Sequence, residues 1–175
     1  QSVAPDSRVV YVDNDPIVLV HAQALLRSTP QGATDYIDAD LREPDVILEK
    51  AARTLDFGKP IGLTLLGIVE FLTDDDELIG ILDRLLGAMP SGSHLAIAHP
   101  TLDIDPEGMG EVERFWNENG STPAKFRGRE EFSRLFNGLE LIEPGVVSLS
   151  KWRPDPDTLY TDRDLGFFCA VGRKP

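Results

Sequence analysis

RVVYVDNDP, residues 8–16, reads as a β-strand that stops on acidic side chains and passes at once into a helix. Arg8 to Asp13 is rich in valine and aromatic residues, which suit a pleated, half-buried surface. Asp15 can accept hydrogen bonds from the first free amides of a helix, and Pro16 already has the φ that a first turn requires. The helix is expected to run to about Leu26. A ligand-sized opening beyond such a strand end is where open α/β sheets bind small molecules, so this junction predicts both a fold class and a place to look.

The same alternation recurs along the chain. Thr34 to Ala39 is a short strand, and Pro44 opens a helix in which Ile47, Leu48, Ala51, Ala52 and Leu55 repeat at helical spacing. Ile61 to Leu66 is almost wholly apolar, the pattern of a strand covered on both faces. Thr73 is the expected cap of the next helix, with Asp74, Asp75 and Asp76 as a solvated first turn favoured by the helix dipole and Leu78, Leu82, Leu85 and Met89 as its buried stripe. His94 to His99 is a further strand. Helices follow at roughly Pro106 to Asn119 and Arg129 to Phe136, the latter stopped by Asn137-Gly138. The last strands, roughly Gly145 to Ser150 and Leu165 to Val171, are separated only by the polar stretch KWRPDPDT at 151–158 and so form an antiparallel hairpin. The expected fold is α/β: one domain over 1–175, with a doubly wound, mainly parallel sheet closed by that hairpin.

Composition narrows the partners. The formal net charge is −13, which repels nucleic acid and anionic membranes at long range and suits a small molecule or a protein. The single cysteine, Cys169, excludes an internal disulfide framework and a Cys-rich zinc site. No apolar run is long enough to span a bilayer, and Gln1 to Arg8 lack the regions of a signal peptide. A reducing cytoplasm is the expected setting.

The residues after each strand carry the chemistry. Asp13, Asn14 and Asp15 follow the first; an acid there can accept from both hydroxyls of a ribose, or the cluster can simply cap the helix. Asp38-Ala39-Asp40-Leu41 follows the second, where a carboxylate and a neighbouring amide can meet an adenine, or where a solvated loop acid can stand. Acids at the ends of consecutive strands make the nucleoside reading stronger than either alone. Gly67 and Ile68 end the third strand, where glycine permits close approach of a ligand or of a packed neighbour. Glu70 can face a substrate or cap the next helix. His99 stands where a base could act, or is a hydrogen-bonded structural residue. Phe115 and Trp116, inside the segment from Asp103 to Lys125, mark a substrate-covering element or a helix packed on the sheet. His21 and His94 have no metal-ligand partner at useful spacing, and no metal site is expected.

Several longer stretches resemble a known family when taken together: VVYVDNDPIVLVHAQALL, YIDADLREP, LTLLGIVEFLTDDD, SHLAIAHPT and REEFSRLFNGLELIEPGVVSLSKWRPD. The chain is similar over nearly its whole length to a bacterial family of class I S-adenosylmethionine-dependent methyltransferases. The resemblance implies a Rossmann-like sheet with a terminal antiparallel hairpin and S-adenosylmethionine as cofactor. It implies that Asp13, beside Asn14, holds the ribose, that Asp40 and Leu41 frame the adenine, and that Gly67 and Ile68 line the methionine end. Glu70, His99 and Trp116 are the positions assigned, more weakly, to the substrate.

Family members carry a first, central strand and a glycine-rich loop ahead of the point where this sequence starts. The resemblance therefore implies about another hundred residues upstream, a figure in keeping with usual domain size. The expected reaction is methyl transfer to a small-molecule acceptor, with two rivals: a catalytically silent binding or regulatory protein of the same fold, and a nicotinamide-dependent oxidoreductase. Expected partners are that small molecule, the N-terminal segment of the same protein and, as an option, a second copy in a homodimer.

Overall fold

The computed structural model describes residues 1–26, 28–155, 157–159 and 161–175. Its internal contacts gather into two compact units, Gln1–Lys59 with Asp83–Met89, and Pro60–Leu82 with Pro90–Pro175.

The first unit is built on a two-stranded parallel ribbon, β1 (Arg8–Asp13) and β2 (Ala33–Asp38), with Asp13 opposite Asp38 at its carboxyl end. Helix α1 (Pro16–Leu25) connects them, and its start follows the expected chemistry: the Asp15 side chain accepts from Ile17 N–H at 2.8 Å, with Pro16 in the first turn. Helix α2 (Pro44–Ala51) stops before Leu55 and buries Ile47 and Ala51. Helix α1 buries only Leu19; Ile17, Val18, Val20 and Leu25 stay exposed. Apolar composition alone does not bury a helix; it needs an element to lie against.

The second unit holds a five-stranded sheet in the order β3 (Gly62–Leu66), β4 (His94–Pro100), β7 (Phe167–Arg173) and β5 (Glu140–Leu141), with β6 (Val147–Ser148) also on β7. The β3–β4 pair is parallel; β7 runs antiparallel to β4, β5 and β6. The expected hairpin is therefore present, but with a two-residue first arm and with β5 as a strand that the sequence pattern does not announce. Pro156, inside the 151–158 connection, lies outside the described residues.

β3 was read as covered on both faces, yet Leu66 is 64% exposed and Gly62 and Thr64 are exposed too. Among the described residues the strand pairs only with β4. The cap of α3 (Asp75–Gly87) is Asp74, not Thr73: its Oδ1 accepts from Asp76 N–H at 2.9 Å and Glu77 N–H at 3.0 Å. Threonine and aspartate both suit a cap, and the chain places the carboxylate one residue closer. The buried stripe of α3 is as expected, with Leu78, Leu82, Leu85 and Met89 all buried.

The core of this unit joins Leu65, Leu95 and Ile97 of the sheet to Phe132 of α5 (Arg129–Arg134), Phe136, and Phe168 of β7. Helix α4 (Pro106–Asn119) contributes no buried residue. Cys169 is buried in β7, which pushes its thiol up to about 11 from an ordinary 9.0. Its thiolate fraction at pH 8 then falls ~100-fold, so native protein should react with iodoacetamide far more slowly than urea-unfolded protein. Comparable rates in a timed alkylation would mean that β7 opens readily. Among the described residues no helix is long and apolar enough to cross a membrane.

Candidate functional site

In the first unit, two of the residues expected at the nucleoside, Asn14 and Asp40, come together. Parallel pairing sets the ends of β1 and β2 side by side, so the loops that follow them meet. Asn14 Nδ2 donates to Asp40 Oδ2 at 3.1 Å, a bond from one strand-end loop to the other. Asp13 Oδ1 accepts from Asp15 N–H at 2.9 Å, a turn that points the chain into α1 and leaves the second oxygen as an acceptor. Of the acids from Asp13 to Asp15, Asp15 caps the helix, while Asp13 folds the turn ahead of it. Asp40 Oδ1 accepts from Arg42 N–H at 2.9 Å. That amide, helped by Asn14 and the Arg42 charge against some burial, holds the Asp40 carboxyl below its usual range. Leu41 is half-buried beside it.

In the second unit, Gly67 ends β3 with φ +67°, a left-handed conformation that explains the glycine. A side chain there would meet Glu70 Oε1 only at an ordinary 3.7 Å, so conformation rather than crowding sets the residue type. Ile68 is 39% exposed. The chain then turns through a short 3-10 segment, Val69–Phe71, which carries Glu70.

His99, at the end of β4, is fully buried, and its Nε2 accepts from Arg127 N–H at 3.0 Å. Of its two readings, the geometry favours the structural one: no face of this ring is open to a substrate. Burial holds its pKa below the ordinary value, against the opposing pull of Glu70. Trp116 lies against Phe71, with ring centroids 5.6 Å apart, and its Nε1 donates to Thr122 O at 2.8 Å. Phe115 is 68% exposed.

Sequence reasoning passed over the residue that organises this region. Arg127 is fully buried and spreads its guanidinium over the 69–75 turn: Nη1 to Val69 O at 3.0 Å, Nη2 to Leu72 O at 2.5 Å, and Nε to Asp75 Oδ1 at 2.9 Å. Lys125 bridges Asp75 at 2.8 Å and Glu131 at 3.0 Å. Asp75, read as one of three solvated acids, is instead the anchor of this cluster. Burial pushes its carboxyl up, but the hydrogen bonds and charges of Lys125 and Arg127 outweigh that and leave it below its usual range. The available signal was KFRGR at 125–129, a basic knot in an acidic chain.

Comparison with known proteins shows the family and the fold. The model of the S-adenosyl methyltransferase family matches residues 1–175. The chain belongs to the S-adenosyl methyltransferase family. A solved DUF574 family protein of Streptomyces avermitilis is 46% identical with a TM-score of 0.92, covering 100% of this chain and 68% of its own. A candidate methyltransferase of Thermobifida fusca is 37% identical with a TM-score of 0.83, covering 99% of this chain and 65% of its own. This chain thus spans about two thirds of the length of either relative. No curated protein matches it significantly. The N-methyltransferase NodS of Bradyrhizobium japonicum, at 12% identity and a TM-score of 0.54, shares the fold. The sheet is accordingly the mixed, Rossmann-like one of these methyltransferases, and the family's cofactor is S-adenosylmethionine. Membership in a methyltransferase family decides against the nicotinamide-dependent alternative.

Proposed function

We propose that this chain, as one methyltransferase domain over 1–175, binds S-adenosylmethionine through Asp13, Asn14, Asp40 and Leu41 at the nucleoside end and Gly67 and Ile68 at the methionine end, and transfers its methyl group to a small-molecule acceptor. The observation that carries this reading is the bond from Asn14 to Asp40 across the ends of adjacent parallel strands, with Asp13 beside it. A carboxylate oxygen at Asp13 suits ribose hydroxyls, and Asp40, kept ionised by its amide and amide-side-chain donors, suits an exocyclic amino group. Donor and acceptor types therefore fit a nucleoside.

Bound S-adenosylmethionine supplies a methyl group already activated on a sulfonium. The protein's share is to hold, orient and exclude water. Helix α4, with Val112, Phe115 and Trp116 exposed, is the element we assign to the acceptor side. A further segment bearing a glycine-rich loop belongs to this reading. Among the described residues β1 pairs on one side only, and the exposed apolar residues of α1 are a surface that another element of the fold would cover. A bacterial cytoplasm, and the option of a homodimer, complete it.

Calorimetry of the intact protein with S-adenosylhomocysteine tests the assignment. Asp13→Ala should weaken binding by about 1.5–3 kcal/mol, the range for a hydrogen bond to a charged group. Unchanged affinity would remove Asp13 from the ribose.

A further inference from the structure

Among the described residues, Glu70 is a buried carboxylate without a cation of its own. It is 8% exposed, and Oε2 faces His99 Nδ1 at 3.7 Å; neither atom has a hydrogen-bond partner among the described residues. The proton of the neutral His99 ring sits on Nδ1, because Nε2 already accepts from the Arg127 amide. That N–H faces Glu70 at 3.7 Å, beyond hydrogen-bond reach, and so leaves the carboxylate unsatisfied. The nearby cations are engaged elsewhere: the Arg127 guanidinium by Asp75 and the carbonyls of Val69 and Leu72, Lys125 by Asp75 and Glu131. A desolvated carboxylate is stable only when charge or donors reach it. The other oxygen, Oε1, lies 3.7 Å from where a side chain on Gly67 would begin, over the exposed backbone of that turn.

We propose that Glu70 receives the α-ammonium group of the cofactor's methionine portion, with His99 as the positioning residue behind it. The inference rests on the reading that Gly67 and Ile68 line that end of the cofactor, and it goes further by naming a side-chain counter-charge for the amino group. Lys125 N–H donates to Glu70 O at 2.9 Å, so the backbone under the carboxylate is fixed.

Two probes separate this role from a structural one. S-adenosylhomocysteine carries the ammonium; 5′-methylthioadenosine keeps the nucleoside and thioether but lacks the amino-acid end. In calorimetry of the intact protein, Glu70→Gln should weaken S-adenosylhomocysteine by ~10–100-fold while changing methylthioadenosine less than about twofold. Retained methylthioadenosine binding also reports that the variant is folded. On the unaltered protein, the His99 Nδ1 signal in nitrogen NMR should move on addition of S-adenosylhomocysteine and stay in place with methylthioadenosine. Equal loss for both ligands, or no loss for either, would overturn the ammonium assignment and leave the cofactor reading standing. If the unaltered protein binds neither probe, both fall together.

Discussion

Arg127→Met is expected to lower unfolding stability by about 3–5 kcal/mol, the penalty for removing one side of a buried charged network. Methionine keeps most of the length and apolar stem of arginine, so the loss isolates the guanidinium. The carbonyls of Val69 and Leu72 would lose their donors, and each buried acceptor left unpaired costs roughly 1–3 kcal/mol. Asp75 contributes less, because a third of its side chain remains in water and can be resolvated. Arg127→Lys should recover only part of the loss: an ammonium is a single point charge and cannot reach two carbonyls and a carboxylate in different directions. Urea unfolding followed by circular dichroism measures all three proteins. A Met variant within about 1 kcal/mol of the parent would show that the network contributes little.

Phe132→Ala should be comparably damaging, again by about 3–5 kcal/mol. Phe132 is fully buried at the meeting of α5, β4 and β7. Its ring stacks on His99 at 6.0 Å and 14°, meets Phe136 edge-on at 5.5 Å, and lies 6.1 Å from Phe168. Truncation leaves a cavity that three other rings border and that a strand pairing on both sides cannot close. The contrast is Phe115→Ala on α4, exposed and expected to stay within about 0.5 kcal/mol. Thermal unfolding of the pair is the measurement; equal effects would mean that ring burial does not decide stability here.

Much of this was legible in the sequence because local chemistry decides it. Asp15 with Pro16 places the start of α1 to the residue, and valine-rich RVVYVD has no other good use than a strand. The meeting of the two strand-end loops, seen in the Asn14 to Asp40 bond, could be reached by reasoning alone, since adjacent parallel strands bring their following loops together. What stayed hidden is long-range. Arg127 meets Val69, Leu72 and Asp75 across more than fifty residues of sequence, and no periodicity reports which arginine will be buried. A strand's partners are equally invisible, so the apolar run of β3 suggested two covered faces where Leu66 is exposed among the described residues. β5 escaped notice because two residues carry no pattern.

The Arg127 grip has a consequence for how such a protein can diversify. It takes hold of the main chain at 69 and 72, and oxygen atoms of the peptide unit are the same whatever side chain follows. The curve of the turn is thus held independently of the residues displayed on it. The exposed side chain at position 68 can therefore be exchanged while the loop keeps its course. Scaffold and selectivity are inherited through different atoms.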